Sequence, residues 1–229
     1  MNLGSSRSRK STLVESLSRI WLRFYGSLLN LVFYLPCGGE DCFRKRCVNF
    51  ASPAEGDQVL DVCCGAGELT YLIAERMGLE GKVIGVDIWE PALEMARMKP
   101  RNLPVTFLGV NAEKLPFASS KFDKCFISLG LHHMPEQTRH NTLNEIRRTL
   151  KSTGSLFIVE YNLPAGALDK LTAKVLVRLD KSKEAYNMWI NHSVLREIGQ
   201  AGFSIKRREF ICKGVIQLVE ARNKASQPQ

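Results

Sequence analysis

From Gln58 onward, short apolar runs alternate with longer stretches of helical periodicity, and this alternation limits the fold more than any other feature of the chain. Gln58–Val62, Lys82–Ile88, Val105–Gly109, Phe122–Leu129 and Ser155–Tyr161 read as strands. Between them, Glu68–Met77, Pro91–Met98 and Glu136–Leu150 read as helices, the last closed by a turn at Lys151-Ser152-Thr153-Gly154. Leu168–Arg178 and Ser193–Gln200 read as further helices, and Ser204–Ile211 and Val215–Ala221 as closing strands. Repeated strand–helix units pack as a parallel sheet with right-handed crossovers and a helix layer on each face. The expected fold is α/β, with a mostly parallel seven-stranded sheet.

The N-terminal part has a different pattern. Residues 1–12 are polar and basic and read as a disordered tail, and 13–57 as a helical cap on a domain spanning 58–222. Leu13, Leu17, Ile20, Phe24, Leu28, Leu31 and Leu35 fall on one face of an amphipathic helix, and Phe43–Phe50 forms a second, shorter one. The first can cover the core as a lid, or lie on a membrane surface with Arg19 and Arg23 near the headgroups. It cannot cross a bilayer: Arg23, Gly26, Ser27 and Asn30 interrupt an apolar run that would need about 18 residues. No secretory signal is recognisable.

Seven cysteines, two of them adjacent at Cys63 and Cys64, do not form a disulfide framework and point to a reducing cytoplasm. Cys37, Cys42 and Cys47 lack a fourth ligand, so they read as buried thiols and no metal is expected. The net charge of +9 suits an anionic partner or simple solubility. No basic run is interleaved with aromatics, so nucleic acid is not the expected partner.

The chemistry is concentrated in Val59-Leu60-Asp61-Val62-Cys63-Cys64-Gly65-Ala66-Gly67. Small residues between a strand and a helix let the backbone pass close to a ligand, and the helix start presents unpaired N–H groups. A dinucleotide site asks for a third glycine, where this chain has Thr70. Asp61 would repel a phosphate but suits a cation. Asp87 ends the next strand, where a carboxylate can accept from both hydroxyls of a ribose. These residues together describe a nucleoside with a cationic tail, and S-adenosylmethionine fits.

The loop, Asp87, the stretch Gly109-Val110-Asn111-Ala112-Glu113-Lys114-Leu115-Pro116-Phe117, and Phe122 to Met134 together resemble the class I S-adenosylmethionine-dependent methyltransferases. That resemblance implies a Rossmann-like domain. It implies that Asp61 and the Gly65–Gly67 backbone hold the methionine end, with Cys63 where the family often has glycine. Asp87 would bind the ribose, Ile88 pack on the adenine, Asn111 and Ala112 lie at the adenine edge, and Ser128 stand beside the methionine. Asn111 replaces a frequent aspartate but keeps an acceptor oxygen.

His132 and His133 follow the fourth strand, at the edge where ligands bind in such sheets. Either can serve as a general base or as a packing residue, and His192 is a weaker candidate. Within the family the chain is similar to the group of ubiquinone and menaquinone C-methyltransferases and phosphatidylethanolamine N-methyltransferases. The quinone enzymes carry Arg-Asn where this chain has His132-His133, which argues for another lipid-like or isoprenoid small-molecule acceptor. Ser128-Leu129-Gly130-Leu131 stands where nucleic-acid amino methyltransferases carry Asn-Pro-Pro-Tyr, which argues against bases. A nicotinamide oxidoreductase would need the missing glycine and a Tyr-x-x-x-Lys. A non-catalytic S-adenosylmethionine-binding scaffold stays open.

Overall fold

A computed structural model describes residues 37–99, 102–164, 166, 171, 174 and 193–224. The amphipathic helix expected over 13–35, the tail before it, most of the helix expected over 168–178, and His192 lie outside the described residues.

The elements in chain order are α1 (Glu40–Ala51), β1 (Gln58–Val62), α2 (Glu68–Met77), β2 (Lys82–Asp87), α3 (Glu90–Arg97), β3 (Val105–Gly109), β4 (Phe122–Ser128), α4 (Glu136–Thr149), β5 (Leu150–Tyr161), α5 (Ser193–Gln200), β6 (Phe203–Ile211) and β7 (Ile216–Asn223). The seven strands form one sheet in the order β3-β2-β1-β4-β5-β7-β6. The first five are parallel, and β7 runs antiparallel to both β5 and β6. This is the expected Rossmann-like sheet. Its order reverses between β1 and β4, and at such a switch point adjacent loops leave in opposite directions and open a crevice at the carboxyl ends of the strands.

Side-chain alternation divides the core. Val59, Val83, Phe126, Phe157, Val159 and Leu218 face one side, packed on α1 and α2. Leu60, Ile84, Cys125, Ile127, Leu156, Ile158 and Val219 face the other, packed on α4 and α5. The central strands are covered on both faces and are mostly apolar, as in β1 and β2, whereas the edge strand β6 is largely exposed and charged; each fully buried Val, Leu, Ile or Phe contributes about 1.5–3 kcal/mol.

Two expectations are corrected. The turn placed at Lys151–Gly154 belongs to β5, because Leu150 already pairs with Phe122 and a register shift before the Lys124–Ser155 pair takes up the intervening residues. Lys151 Nζ anchors that irregularity on Asp123 Oδ1 at 2.7 Å. Nor is Cys37 a plain buried thiol: it is joined to Cys212 in a disulfide with a Cα–Cα separation of 4.9 Å. The bond ties the start of α1 to the turn between β6 and β7, two segments far apart in sequence whose residues share one apolar cluster.

Candidate functional site

β1 carries Asp61 into the crevice next to its own carboxyl end, where the side chain is 1% exposed. The Thr70 hydroxyl, from the first turn of α2, donates to Asp61 Oδ2 at 2.6 Å. The residue that departs from the dinucleotide pattern thus holds the carboxylate of the site. Burial, before any other influence, pushes the Asp61 carboxyl up from 3.8 to about 7, while the Thr70 hydrogen bond and the charge of Arg44 oppose the rise.

After β1 the chain turns sharply. Cys63 (φ 58°), Gly65 (φ 54°) and Gly67 (φ 77°) all occupy the left-handed region. Glycine is at ease there and cysteine is not, which gives a physical reason for glycine being frequent at position 63 in the family that the sequence resembles. The Cys63 thiol is half-buried in the wall of the cleft, and desolvation together with the nearby carboxylates pushes its pKa up, which favours the neutral thiol. Gly67 has a second constraint, because a Cβ there would stand 2.6 Å from the Phe107 ring.

Asp87, at the end of β2, locks this loop. Its Oδ2 accepts from the Gly65 N–H at 2.8 Å and its Oδ1 from the Trp89 N–H at 2.9 Å. Ile88 beside it is 76% exposed, a large apolar side chain left on the surface. Asn111 and Ala112 follow β3, which is linked to the end of β2 by the Val110 N–H donating to the Asp87 carbonyl at 2.9 Å. Asn111 Oδ1 accepts from the Glu113 N–H at 2.9 Å, so the oxygen expected at an adenine edge also closes a local turn.

A cleft of about 210 Å³ lies at the switch point. It brings together Asp61, Cys63 and Gly65 of the expected cofactor residues with Ser128, His132 and His133 from the end of β4 and the turn after it. Gly67, Asp87, Ile88, Asn111 and Ala112 are not in its wall. The wall also includes residues that the sequence reading missed: Arg44 from α1, Glu68 and Leu69 from α2, and Tyr161 from β5. Glu68 ion-pairs with Lys99 at 2.8 Å, and although burial pushes its carboxyl up, this contact holds it below the usual value.

Opposite the glycine loop, Leu131–His133 form a 3-10 turn that buries His132 at 2% exposure. Its Nδ1 lies 2.7 Å from Oε1 of Glu160, which is fully buried in β5. The same carboxylate accepts from the backbone N–H groups of His132 (3.3 Å) and Tyr161 (2.8 Å). The His132 ring packs between those of His133 and Tyr161, with centroids 4.0 and 4.6 Å away. A lone acid in the apolar run Leu156–Tyr161 was the signal for Glu160, since a charge in a buried strand needs a partner.

The site is therefore a glycine-rich turn at a sheet switch point, ringed by Asp61, Glu68 and Asp87, with a buried His–Glu pair across the cleft. Such acidic surroundings disfavour a pyrophosphate and fit a nucleoside with a positively charged tail. The family model for a methyltransferase domain matches residues 59–154. The chain belongs to the S-adenosylmethionine-dependent methyltransferases, and S-adenosylmethionine is its cofactor.

Among individual proteins, it is 31% identical to a demethylmenaquinone methyltransferase of Staphylococcus saprophyticus, over 73% of this chain and 79% of that one. It is 28% identical to an uncharacterized methyltransferase of Synechocystis, over 86% of this chain and 90% of that one. The fold matches that of a SAM-dependent methyltransferase from Aquifex aeolicus with a TM-score of 0.61 at 22% identity, covering 78% of this chain and 88% of that one. Among the described residues no helix is long and apolar enough to cross a membrane, and no cluster of side chains is arranged to hold a metal ion.

Proposed function

We propose that the chain methylates a lipid-like acceptor whose reacting group gives up a proton, in the cleft between the ends of β1, β4 and β5. The observation that carries this reading is the buried His132–Glu160 pair, of which His132 lines the same cleft as Asp61.

On the cofactor side, Asp61 receives the methionine ammonium and the Gly65–Gly67 backbone lies along the same end. Asp87, already fixed by two backbone N–H groups, keeps further lone pairs for the ribose hydroxyls. Ile88 covers one face of the adenine, and withdrawing such a side chain from water contributes about 1.5–3 kcal/mol. Asn111 and Ala112 line the adenine edge, and Ser128 stands beside the methionine. The cofactor supplies a methyl group already activated by its sulfonium, so no covalent enzyme intermediate is needed. The protein's work is to align the acceptor and exclude water.

Glu160 fixes the ring of His132 and balances the charge it gains on protonation. As the acceptor atom bonds to the methyl carbon, the methyl–sulfur bond would break to leave a neutral thioether, and His132 would take the proton that the acceptor releases. The similarity to a demethylmenaquinone methyltransferase supports a lipid-like acceptor. His132-His133, where the quinone enzymes carry Arg-Asn, separates this acceptor from the quinones themselves.

Methyl-labelled S-adenosylmethionine incubated with the protein and a cell extract, followed by separation into lipid, small-molecule, protein and nucleic-acid fractions, tests the reading. Label is expected in the lipid fraction, absent with Asp87→Ala and reduced at least tenfold with Glu160→Gln at unchanged cofactor affinity. Label in another fraction would overturn the acceptor class. Full transfer by Glu160→Gln would remove the proton-transfer role.

A further inference from the structure

α4 begins just after His133, which lines the cleft, and its last turn reaches the amino ends of β4 and β5. There a second cavity of about 680 Å³ opens, within the size range of small-ligand sites. No residue lines both this cavity and the cleft. Among the described residues its wall holds three cations, Arg147, Arg148 and Lys224, and no carboxylate.

All three are held in place, yet a carboxylate balances just one of them. Arg148 pairs with Glu145 at 2.8 Å and donates to the carbonyls of Phe117 and Leu115 at 2.7 and 2.9 Å. Lys224 Nζ donates to the Gly199 carbonyl at 3.0 Å, near the end of α5, and meets no carboxylate among the described residues. Arg147 forms no hydrogen bond or ion pair among them. Packing positions it instead. A Cβ on Gly202 would stand 2.8 Å from Arg147 Nη1 and 2.9 Å from its Cζ, so the guanidinium fills space that any other residue at 202 would need. Its five N–H donors are thus pre-placed and unspent. Asn223 adds to the same wall a side-chain oxygen that is shielded from solvent and accepts from no donor. A ligand that brings a donor relieves the cost of leaving that oxygen unpaired.

We propose that this cavity is a second ligand site, for a phosphate monoester that also carries a hydroxyl group. Such a phosphate bears a charge of about −1.5 to −2 at pH 7, which matches the two cations that no carboxylate balances. Arg147 meets its oxygens through paired, charge-assisted hydrogen bonds, and Lys224 faces them as a point charge. The hydroxyl donates to Asn223 Oδ1. A free phosphate monoester and a lipid headgroup that ends in one share this chemistry. The site does not depend on the assignment of S-adenosylmethionine to the cleft.

Two probes test it at low ionic strength, where such contacts are least screened. One is glycerol 3-phosphate, titrated calorimetrically beside glycerol and inorganic phosphate. The other is sedimentation with phosphatidic acid vesicles, compared with phosphatidylcholine vesicles. Saturable binding of at least one probe is expected, weakened at least about tenfold by Arg147→Gln and by Lys224→Gln. Both side chains are exposed, so the variants should keep the wild-type urea midpoint and bind S-adenosylmethionine as the wild type does. Response of the free probe assigns a soluble phosphate ester, and response of the vesicles assigns a lipid headgroup. Glycerol 3-phosphate should exceed inorganic phosphate by about two- to tenfold, an advantage that Asn223→Ala removes. Binding of neither probe, or binding that survives both charge substitutions, overturns the proposal. An advantage unchanged by Asn223→Ala overturns the hydroxyl contact.

Discussion

Replacing Asp61 by asparagine is expected to stabilise the ligand-free protein above neutral pH while weakening its grip on the cofactor. In the native state burial raises the Asp61 carboxyl to about 7, against 3.8 for the ordinary group, with Thr70 and Arg44 opposing the rise and Asp87 and Glu68 adding to it. Between about pH 4 and 7 the unfolded chain has released this proton and the folded protein has kept it. Stability from this group is therefore complete below pH 4, declines as pH rises through the window, and is constant again above it. At about 1.4 kcal/mol for each tenfold change in proton affinity, the loss at pH 8 is on the order of 4 kcal/mol. Asparagine retains an acceptor for the Thr70 hydroxyl, 2.6 Å away in the native protein, and cannot ionise. Urea unfolding from pH 4.5 to 8.5 should show the two proteins close at the acid end and Asp61→Asn more stable by roughly 2–4 kcal/mol at pH 8. Cofactor binding reverses the order. The methionine ammonium favours ionised Asp61, so wild-type affinity should rise between pH 5 and 7 with release of a proton, detectable by calorimetry in two buffers. The variant should bind at least tenfold more weakly at pH 8 and release none. A stability gap that does not change with pH, or a variant less stable than wild type at pH 8, would refute the reasoning.

Two further substitutions probe the scaffold of the site. Gly67→Ala combines a left-handed backbone at φ 77° with a Cβ 2.6 Å from the Phe107 ring and 3.1 Å from the Ala96 methyl, so unfolding in urea should reveal a loss of about 2–4 kcal/mol, together with weaker cofactor binding. Arg139 and Glu197 join α4 to α5 through a buried pair of hydrogen bonds at 2.6 and 2.8 Å, and Arg139→Met should cost about 3–5 kcal/mol by leaving Glu197 unpaired. The double variant Arg139→Met, Glu197→Leu should recover most of that loss, and a double-mutant cycle without coupling would show that the pair does not act as a unit.

The strands were legible because both faces of the sheet are covered, so the apolar runs are short, dense and bounded by turns; β1 and β3 fall where their runs predict. β5 was harder to delimit. Lys151, Ser152 and Thr153 have the composition of a turn, and only their pairing with the neighbouring strand, set by Leu150 against Phe122, draws them into the sheet. The glycine-rich turn was readable because its residues are contiguous and their spacing follows from how a strand must pass tightly into a helix. Arg44 was not, since Arg44, Lys45 and Arg46 are equivalent in sequence and only the packing of Phe43 and Cys47 decides which cation faces the cleft. Cys37 and Cys212 were equally hidden, being brought together by the placement of α1 against the β6–β7 turn. Glu160 had left a trace, a charge in an apolar strand, but its partner His132 lies on a different connection, and no local pattern links the two.

Four departures from folding economy meet around the cleft, although others lie elsewhere, such as the left-handed backbone at Ser52, Ser120, Cys212 and Lys213 and the buried Arg139–Glu197 pair. Cys63 and Leu129 hold left-handed backbone angles of 58° and 52° just beyond the ends of adjacent strands β1 and β4, conformations that cost an ordinary residue about 1–2 kcal/mol each and a glycine almost nothing. Asp61 and Glu160 bury carboxylates on β1 and β5, where stability alone favours an apolar side chain. Elsewhere the same strands obey the rule, with Val59, Leu60, Val62, Leu156 and Ile158 buried and apolar. At the switch point the strained turns follow β1 and β4, Asp61 puts negative charge in the wall of the cleft, and Glu160 orients the imidazole of His132 in that wall. A protein that only had to hold this fold would gain stability by losing all four residues; their joint presence around one cleft accords with the proposed binding of a cationic nucleoside beside an acceptor.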